Sequence, residues 1–480
     1  MSGPHRRSSL QFLAIPVILL VSSPSQAVAQ PPAVSPTPDS GLDLPWVLLC
    51  ASLAFLVQAG LGCLACGLTR AKNSAHIFLK LFLNLCIASL SFWAFGHGFA
   101  FGQGGPLFGL SGWFLSPADL NTPLPSRLPL EAHALFHIML ASLPGTIALA
   151  ALAERITLRA TVGISLAVNL LFYPLAARAV WGGGLLAALG MRDYAGGATI
   201  HTLGAAVGLV GAWIVGPRLG RYAPDGRPRP LAGHSLALAA LGVALALVGW
   251  LGLLGGASLE FAPALAARAL LSAILAAAAG FLTALALSWL VFTRPDASVG
   301  FNGLIGGLVA VSAPCGLVSP LAAAVIGLLG GVAVIIAIQL HDNSWIDDPA
   351  GVIAVHGACG SVGTIALGLF AQAEFSPPHI NTPSGLFFGG GPDLLVHQLV
   401  GLLGLIVPAV ILSLLLFFIL RATGSLRASP EAEIAGLDLA ELATDAYPDF
   451  QATVHPIPSL DSLKPAPKRP PTSPPSSARR

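Results

Sequence analysis

Two stretches of this chain carry the same pattern: Asp193-Tyr194-Ala195-Gly196-Gly197-Ala198-Thr199-Ile200-His201 and Asp348-Pro349-Ala350-Gly351-Val352-Ile353-Ala354-Val355-His356. Each reads Asp-x-Ala-Gly, then four residues, then a histidine, and after six more residues a glycine, Gly208 or Gly363. Both open long apolar runs. A pattern this long, met once in each half of a chain, points to an internal repeat. It also sets one imidazole inside each of two hydrophobic segments, where an ionisable group is costly and marks a functional position.

Composition fixes the class. The 480 residues are 55% hydrophobic and 9% charged, with mean hydropathy +0.80, against roughly 25% charged residues in a soluble domain. Apolar runs repeatedly exceed the length of about 20 residues that crosses a bilayer. The chain reads as an all-α, polytopic membrane protein. A formal net charge of +2 with no basic patch interleaved with aromatics excludes a nucleic-acid partner. Of six cysteines, Cys63 and Cys66 have metal-ligand spacing, but no second pair accompanies them, so they read as small packing residues.

Residues 1–29 have the parts of a signal peptide: His5, Arg6 and Arg7, an apolar core from Leu10 to Val21, and Ala27-Val28-Ala29. The alternative is an uncleaved extra span. Eleven membrane spans follow, over about 44–68, 77–101, 133–153, 158–180, 196–217, 233–254, 267–293, 299–317, 320–340, 350–372 and 395–421. Alternate connections are basic, carrying Arg70 and Lys72, Arg155 and Arg159, the Arg218–Arg229 cluster, Arg294, and Arg421 with Arg427. These belong on the cytoplasmic side. The mature N-terminus is then outside and the tail from 423 cytoplasmic. From about 455 the tail is rich in Pro, Ser, Lys and Arg, which predicts disorder.

The first histidine motif opens span five and the second opens span ten, so each repeat has five spans. An odd repeat returns upside down, giving a five-plus-five inverted architecture with one extra C-terminal helix and a site where the halves meet. Each histidine lies roughly 12 Å along a helix from its aspartate, so two antiparallel helices bring His201 and His356 to similar depth. Three readings stand for this pair: structural histidines bonded to a neighbouring helix, haem or metal ligands, or a polar lining in a narrow apolar pore. The last suits imidazole, which donates, accepts and shuttles protons. Asp193 and Asp348 read as N-caps of spans five and ten; Asp193 at an outer mouth would also favour a cation. Trp181, before Gly182-Gly183-Gly184, is either an interfacial belt residue or a cation–π wall for an ammonium-sized cation.

Taken together, these residues resemble the ammonium transporter (Amt/Rh) family over roughly 44–447. The resemblance is carried by Gly67-Leu68-Thr69-Arg70-Ala71-Lys72-Asn73, Ala100-Phe101-Gly102, Ala153-Glu154-Arg155, Val180-Trp181-Gly182-Gly183-Gly184, both histidine segments, Asp347-Asp348-Pro349 and Gly436-Leu437-Asp438. It implies a homotrimer with one pore per subunit and no cofactor or metal. It implies a ring–ring hydrogen bond between His201 and His356, Asp193 as a structural acid near an outer cation site, and Trp181 as that site's aromatic wall. Phe136 matches the upper of two phenylalanines on span three. Ammonium would be recruited outside and deprotonated, ammonia would cross the apolar lumen and the proton would pass separately through the histidine pair, giving electrogenic uptake through a bacterial plasma membrane. The chain departs from the pattern at the gate. Leu140 and Leu253 align with the family's two stacked phenylalanines, Leu254 with an asparagine, and Ala257 with the outer-site serine, although Ser258 is adjacent. Gly436 to Tyr447 only partly fits a docking segment for a PII signal protein.

The resemblance and the residues lead to an ammonium transporter, not an enzyme. Two competing classes are a non-transporting ammonium sensor that signals through its tail, which the leucine gate favours, and a neutral-gas facilitator of the Rh type. A membrane haem protein is the outside alternative, which an absorbance spectrum would remove.

Overall fold

Side-chain caps and proline placement start most of the helices where the hydrophobic pattern begins. The computed structural model describes residues 41–116, 128–377 and 381–448. The expected signal peptide over 1–29 and the expected disorder from about 455 lie outside these residues. In chain order the long apolar helices are α1 (Asp43–Gly67), α2 (Ala71–Phe101), α3 (Leu130–Ala151), α4 (Leu158–Ala188), α5 (Gly197–Val215), α6 (Leu236–Gly256), α7 (Pro263–Phe292), α8 (Ala297–Ser312), α9 (Pro320–Asn343), α10 (Ala354–Phe370) and α11 (Asp393–Ala422). Thr157 caps α4 by accepting from the Ala160 N–H, and Ser235 caps α6 in the same way from Leu238. Ser319 caps α9, whose first residue is Pro320, a position where a missing N–H costs nothing.

Among the described residues, nine of these helices are long and apolar enough to cross a bilayer. The two shorter ones, α8 and α10, stand where the eighth and tenth spans are expected, and their shortness has a local cause. Ala313 still has helical backbone, φ −68° and ψ −43°, but Pro314 has no N–H to continue the ladder, so α8 stops at Ser312 and leaves two carbonyls free. Those carbonyls, on Ser312 and Ala313, accept the N–H groups of Ala195 and Tyr194. The start of α10 is delayed to Ala354 because Asp348 to Gly351 form a turn instead of a helix.

The helices pack as one bundle with a continuous apolar core. Leu403, Ile411 and Leu415 on α11, and Leu282 and Leu290 on α7, point outward as lipid-facing side chains do. The end of the bundle that carries the tail is closed by buried ion pairs. Glu154, in a left-handed conformation at φ 70°, receives Arg70 and Arg218. Asp347 receives the Arg218 guanidinium at 2.8 and 3.0 Å, and its backbone carbonyl accepts from Arg155 at 2.6 Å. The tail forms two short helices, α12 (Pro430–Ala435) and α13 (Leu437–Leu442). They are tied back to the bundle: the Asp438 carboxylate accepts the Ala75 and His76 N–H groups at the foot of α2, and Arg427 donates to the Val215 and Pro217 carbonyls.

Asp347 yields a pH prediction. Burial works against its charge, but Arg155 and Arg218 outweigh burial and hold its pKa well below the ordinary carboxylate range. A depressed acid contributes stability in full above its unfolded pKa of about 4 and loses it as pH falls toward the folded value. Asp347→Asn should therefore cost about 3–5 kcal/mol at pH 7, since it strands buried arginines. The gap to the native chain should narrow as pH drops below about 4. Thermal midpoints in detergent across that range read this directly, and a gap independent of pH would contradict it.

Candidate functional site

The two Asp-x-Ala-Gly stretches fold into the same device. Gly196 and Gly351 adopt left-handed backbone, φ 91° and 72°, which turns the chain back so that the preceding aspartate faces the first turn of the next helix. Asp193 is buried, and its carboxylate accepts four backbone N–H groups, from Gly196, Gly197, Ala198 and Thr199, at 2.8 to 3.0 Å. The Thr199 hydroxyl adds a fifth bond at 2.8 Å. Burial raises the Asp193 pKa, and these bonds act in the opposite direction. Asp348 does the same work more sparingly, accepting from Ile353 and Ala354 at 2.8 and 3.1 Å.

Each cap opens into a π-helical turn, Gly197–Thr202 in α5 and Ala354–Ala358 at the head of α10. Such turns gather at functional positions because they displace a side chain from its α-helical direction. His201 and His356 both sit in them. α5 and α10 cross where small residues allow close approach, Gly357 against Ala205 and Gly360 against Gly197 and Thr202. The two imidazoles meet there, Nδ1 to Nδ1 at 3.2 Å, both with 0% exposure. At that distance one nitrogen carries the hydrogen and the other accepts it.

Trp250 of α6 completes the arrangement, and sequence reasoning did not single it out. Its indole stacks on His201 at 5.1 Å and 19°, lies over His356 at 6.4 Å and 16°, and donates Nε1–H to the Ser312 hydroxyl at 3.1 Å. The signal was present in the sequence: Trp250 is three residues before Leu253 on an apolar helix, hence on the same face.

Trp181 is half-buried, and its indole N–H donates to the Asp193 carbonyl at 2.7 Å, so these two expected site residues are joined. Phe136 is buried against Gly256. Leu140, Leu253 and Leu254 are buried in the same core as Trp250 and Phe136. Ala257 and Ser258 are half-buried just past the end of α6, and the Ser258 hydroxyl donates to the Glu260 carbonyl. Three further histidines, His97, His133 and His137, cluster beside Trp181; the His133/His137 spacing of one helical turn was legible but unremarked. Among the described residues no group of three or more His, Cys, Asp or Glu side chains is arranged to hold a metal.

A model of the Ammonium Transporter Family matches residues 45–447. This chain belongs to the ammonium transporter family. Among curated members it is 34% identical over 457 residues to ammonium transporter Amt2 of Archaeoglobus fulgidus, covering 92% of this chain and 96% of that one. It is 35% identical over 423 residues to ammonium transporter 3 of Dictyostelium discoideum, covering 85% and 94%. Among solved structures, a sensor Amt protein superposes with a TM-score of 0.76 at 30% identity, over 84% of this chain and 98% of that one. Mep2 of Saccharomyces cerevisiae superposes with a TM-score of 0.75 at 25% identity, over 82% and 89%. The all-α membrane fold expected from the sequence is that of these ammonium transporter proteins.

Proposed function

We propose that this chain moves ammonium across a bacterial plasma membrane through a pore in each subunit of a homotrimer, with its tail in the cytoplasm. The single observation that carries the mechanism is the His201–His356 contact inside an apolar bundle. A bare ammonium ion cannot cross such a lining without losing its hydration, whereas ammonia can. In this reading Trp181 forms an aromatic wall for the cation, held by its bond to Asp193. Asp193 shapes the entrance by fixing the first turn of α5, and all of its acceptor capacity is spent on doing so. Phe136, Leu140 and Leu253 narrow the path, with Ala257 and Ser258 at its outer rim. The imidazole pair supplies the one polar station between them, able to donate a hydrogen bond to ammonia or accept one from it. A PII-type protein binding at the docked tail belongs to the same proposal.

A second reading has specific support: the leucines at the gate, and a structural neighbour described as a sensor. An ammonium pulse applied to proteoliposomes separates the readings. Inward current with the pulse supports transport, binding without flux supports sensing, and pH change without current supports gas passage. The gate itself is tested by Leu140→Phe with Leu253→Phe. A π face stabilises a desolvating cation by about 0.5–2 kcal/mol, so ammonium flux should change roughly two- to thirtyfold relative to potassium while the protein stays folded. Unchanged flux of both ions would remove these leucines from the gate.

A further inference from the structure

α2 carries a stripe of polar side chains that the twin-histidine pore does not use. His76, Lys80, Asn84 and Ser91 recur at helical spacing on one buried face, and a π turn at Phe92–Gly96 brings His97 into the same line. The stripe faces α3 and α4, and both answer it with polar groups. Near the end marked by Trp181, His97 Nε2 lies 3.1 Å from His133 Nδ1, the rings of His133 and His137 are 4.5 Å apart, and His137 Nδ1 is 3.4 Å from the Tyr173 hydroxyl. His137 is also the member that faces Trp181, at 6.0 Å between rings. One turn below Tyr173, in a second π turn at Val168–Phe172, Asn169 donates to Asn84 at 3.2 Å. Asn84 in turn donates to the Ser142 carbonyl and to Thr146. One turn further along α2 is Lys80, and one turn beyond that His76, whose Nε2 is 3.1 Å from Glu441 of the tail. The Glu441 side chain reaches solvent.

Two features separate this column from ordinary buried polarity. The first is unmet hydrogen bonding. The Lys80 ammonium nitrogen, Asn169 Oδ1, and the hydroxyls of Ser165 and Ser91 are buried without a protein partner, as are His97 Nδ1 and His133 Nε2. Ordered water is the partner that buried polar atoms of this kind take where there is room for it. The second is asymmetry. The matching helices of the other repeat, α7 and α9, have neither π turns nor such a stripe; α7 is mostly alanine and leucine, with Arg268, Ser272, Thr283 and Ser288 as its charged and hydroxyl residues.

We propose that this column is a hydrated proton pathway through the first repeat, entered at His137 beside Trp181 and left at Lys80, His76 and Glu441, separate from the imidazole pair of the pore. The inference rests on the transport reading above. The chemistry balances without a co-reactant. An N–H bond of ammonium breaks, ammonia keeps the electron pair, and the proton bonds to the unprotonated ring nitrogen of a neutral His137. It then moves by exchange of O–H and N–H hydrogens through water to Lys80 and on to the Glu441 carboxylate, which releases it to the cytoplasm. Docking of the tail completes the exit, because Glu441 is its last group.

The test measures charge and ammonia entry separately in proteoliposomes given an ammonium pulse, using membrane current and an internal pH dye. Lys80→Met should lower current at least tenfold while ammonia entry stays within about twofold of the native chain, and His137→Gln, which removes the first proton acceptor, should also lower current at least tenfold. Lys80→Met removes an unpaired buried amine, so its elution profile and thermal midpoint should match the native protein. Lys80→Arg separates a relay from a structural charge, since guanidinium keeps its proton: it should also lose current, whereas a merely structural cation would be rescued. Native current in both end variants overturns the column and leaves the pore reading intact. Current and ammonia entry falling together in Lys80→Met also overturns it, by assigning that residue to the pore. A native chain that passes ammonia without current, or passes neither, overturns it as well, and passing neither overturns the transport reading with it.

Discussion

Asparagine in place of Asp193 will cost about 3–5 kcal/mol of stability, because it replaces a buried acceptor whose hydrogen-bond donors have no alternative partner. The carboxylate serves five donors, four of them consecutive backbone N–H groups at the head of α5. An amide can accept with one oxygen and presents an NH2 group where the other oxygen met Ala198 and Thr199. The same change at Asp348, which meets two N–H groups, should cost only about 0.5–2 kcal/mol, in the range of a helix cap. Thermal midpoints of the two variants in detergent read the difference. Equal shifts would mean that the count of donors does not set the cost. The comparison matters because the two aspartates occupy identical positions in the sequence repeat and differ only in what the fold asks of them.

Trp250→Ala should be as damaging and for a different reason. The indole is fully buried, and removing it leaves a cavity worth about 3–5 kcal/mol. It also removes the surface on which both imidazoles lie, so His201 and His356 gain room to turn out of their shared hydrogen bond. Trp250→Phe refills most of the space and forfeits the bond to Ser312, which is worth about 1 kcal/mol. The expected order is therefore clear for stability, with alanine far below phenylalanine. For ammonium flux both should fall at least tenfold, since positioning errors near 1 Å cost that much or more in a preorganised site. Native flux in Trp250→Phe would show that the stack is not what orients the pair.

Much of this was legible in the sequence because it depends on spacing. The Asp-x-Ala-Gly turn, its cap and a histidine at fixed offset follow from backbone geometry alone, and repeating them in a five-span unit dictates that the two histidines approach from opposite sides. The π turns were not legible: weak helix formers such as Gly197, Thr199 and Thr202 do not distinguish a π turn from an α turn or a loop. Trp250 was missed because a tryptophan in an apolar helix carries no sequence sign of what it stacks on. The early end of α8 was overlooked for another reason. Hydropathy runs on through Cys315 to Val318, while Pro314 has no N–H to carry the helix on. The histidines of α2 and α3 were countable, but only the fold puts His97 against His133.

Ammonium-evoked flux through the native chain and through His201→Ala, at matched insertion in the same vesicles, bears most directly on the claim that paired imidazoles in an apolar passage move the substrate. The account predicts robust charge movement in the native protein and at least a tenfold loss in the variant, with His356→Ala equally impaired and the double variant no worse than either single one. Native-level ammonium current persisting in the double variant would contradict it.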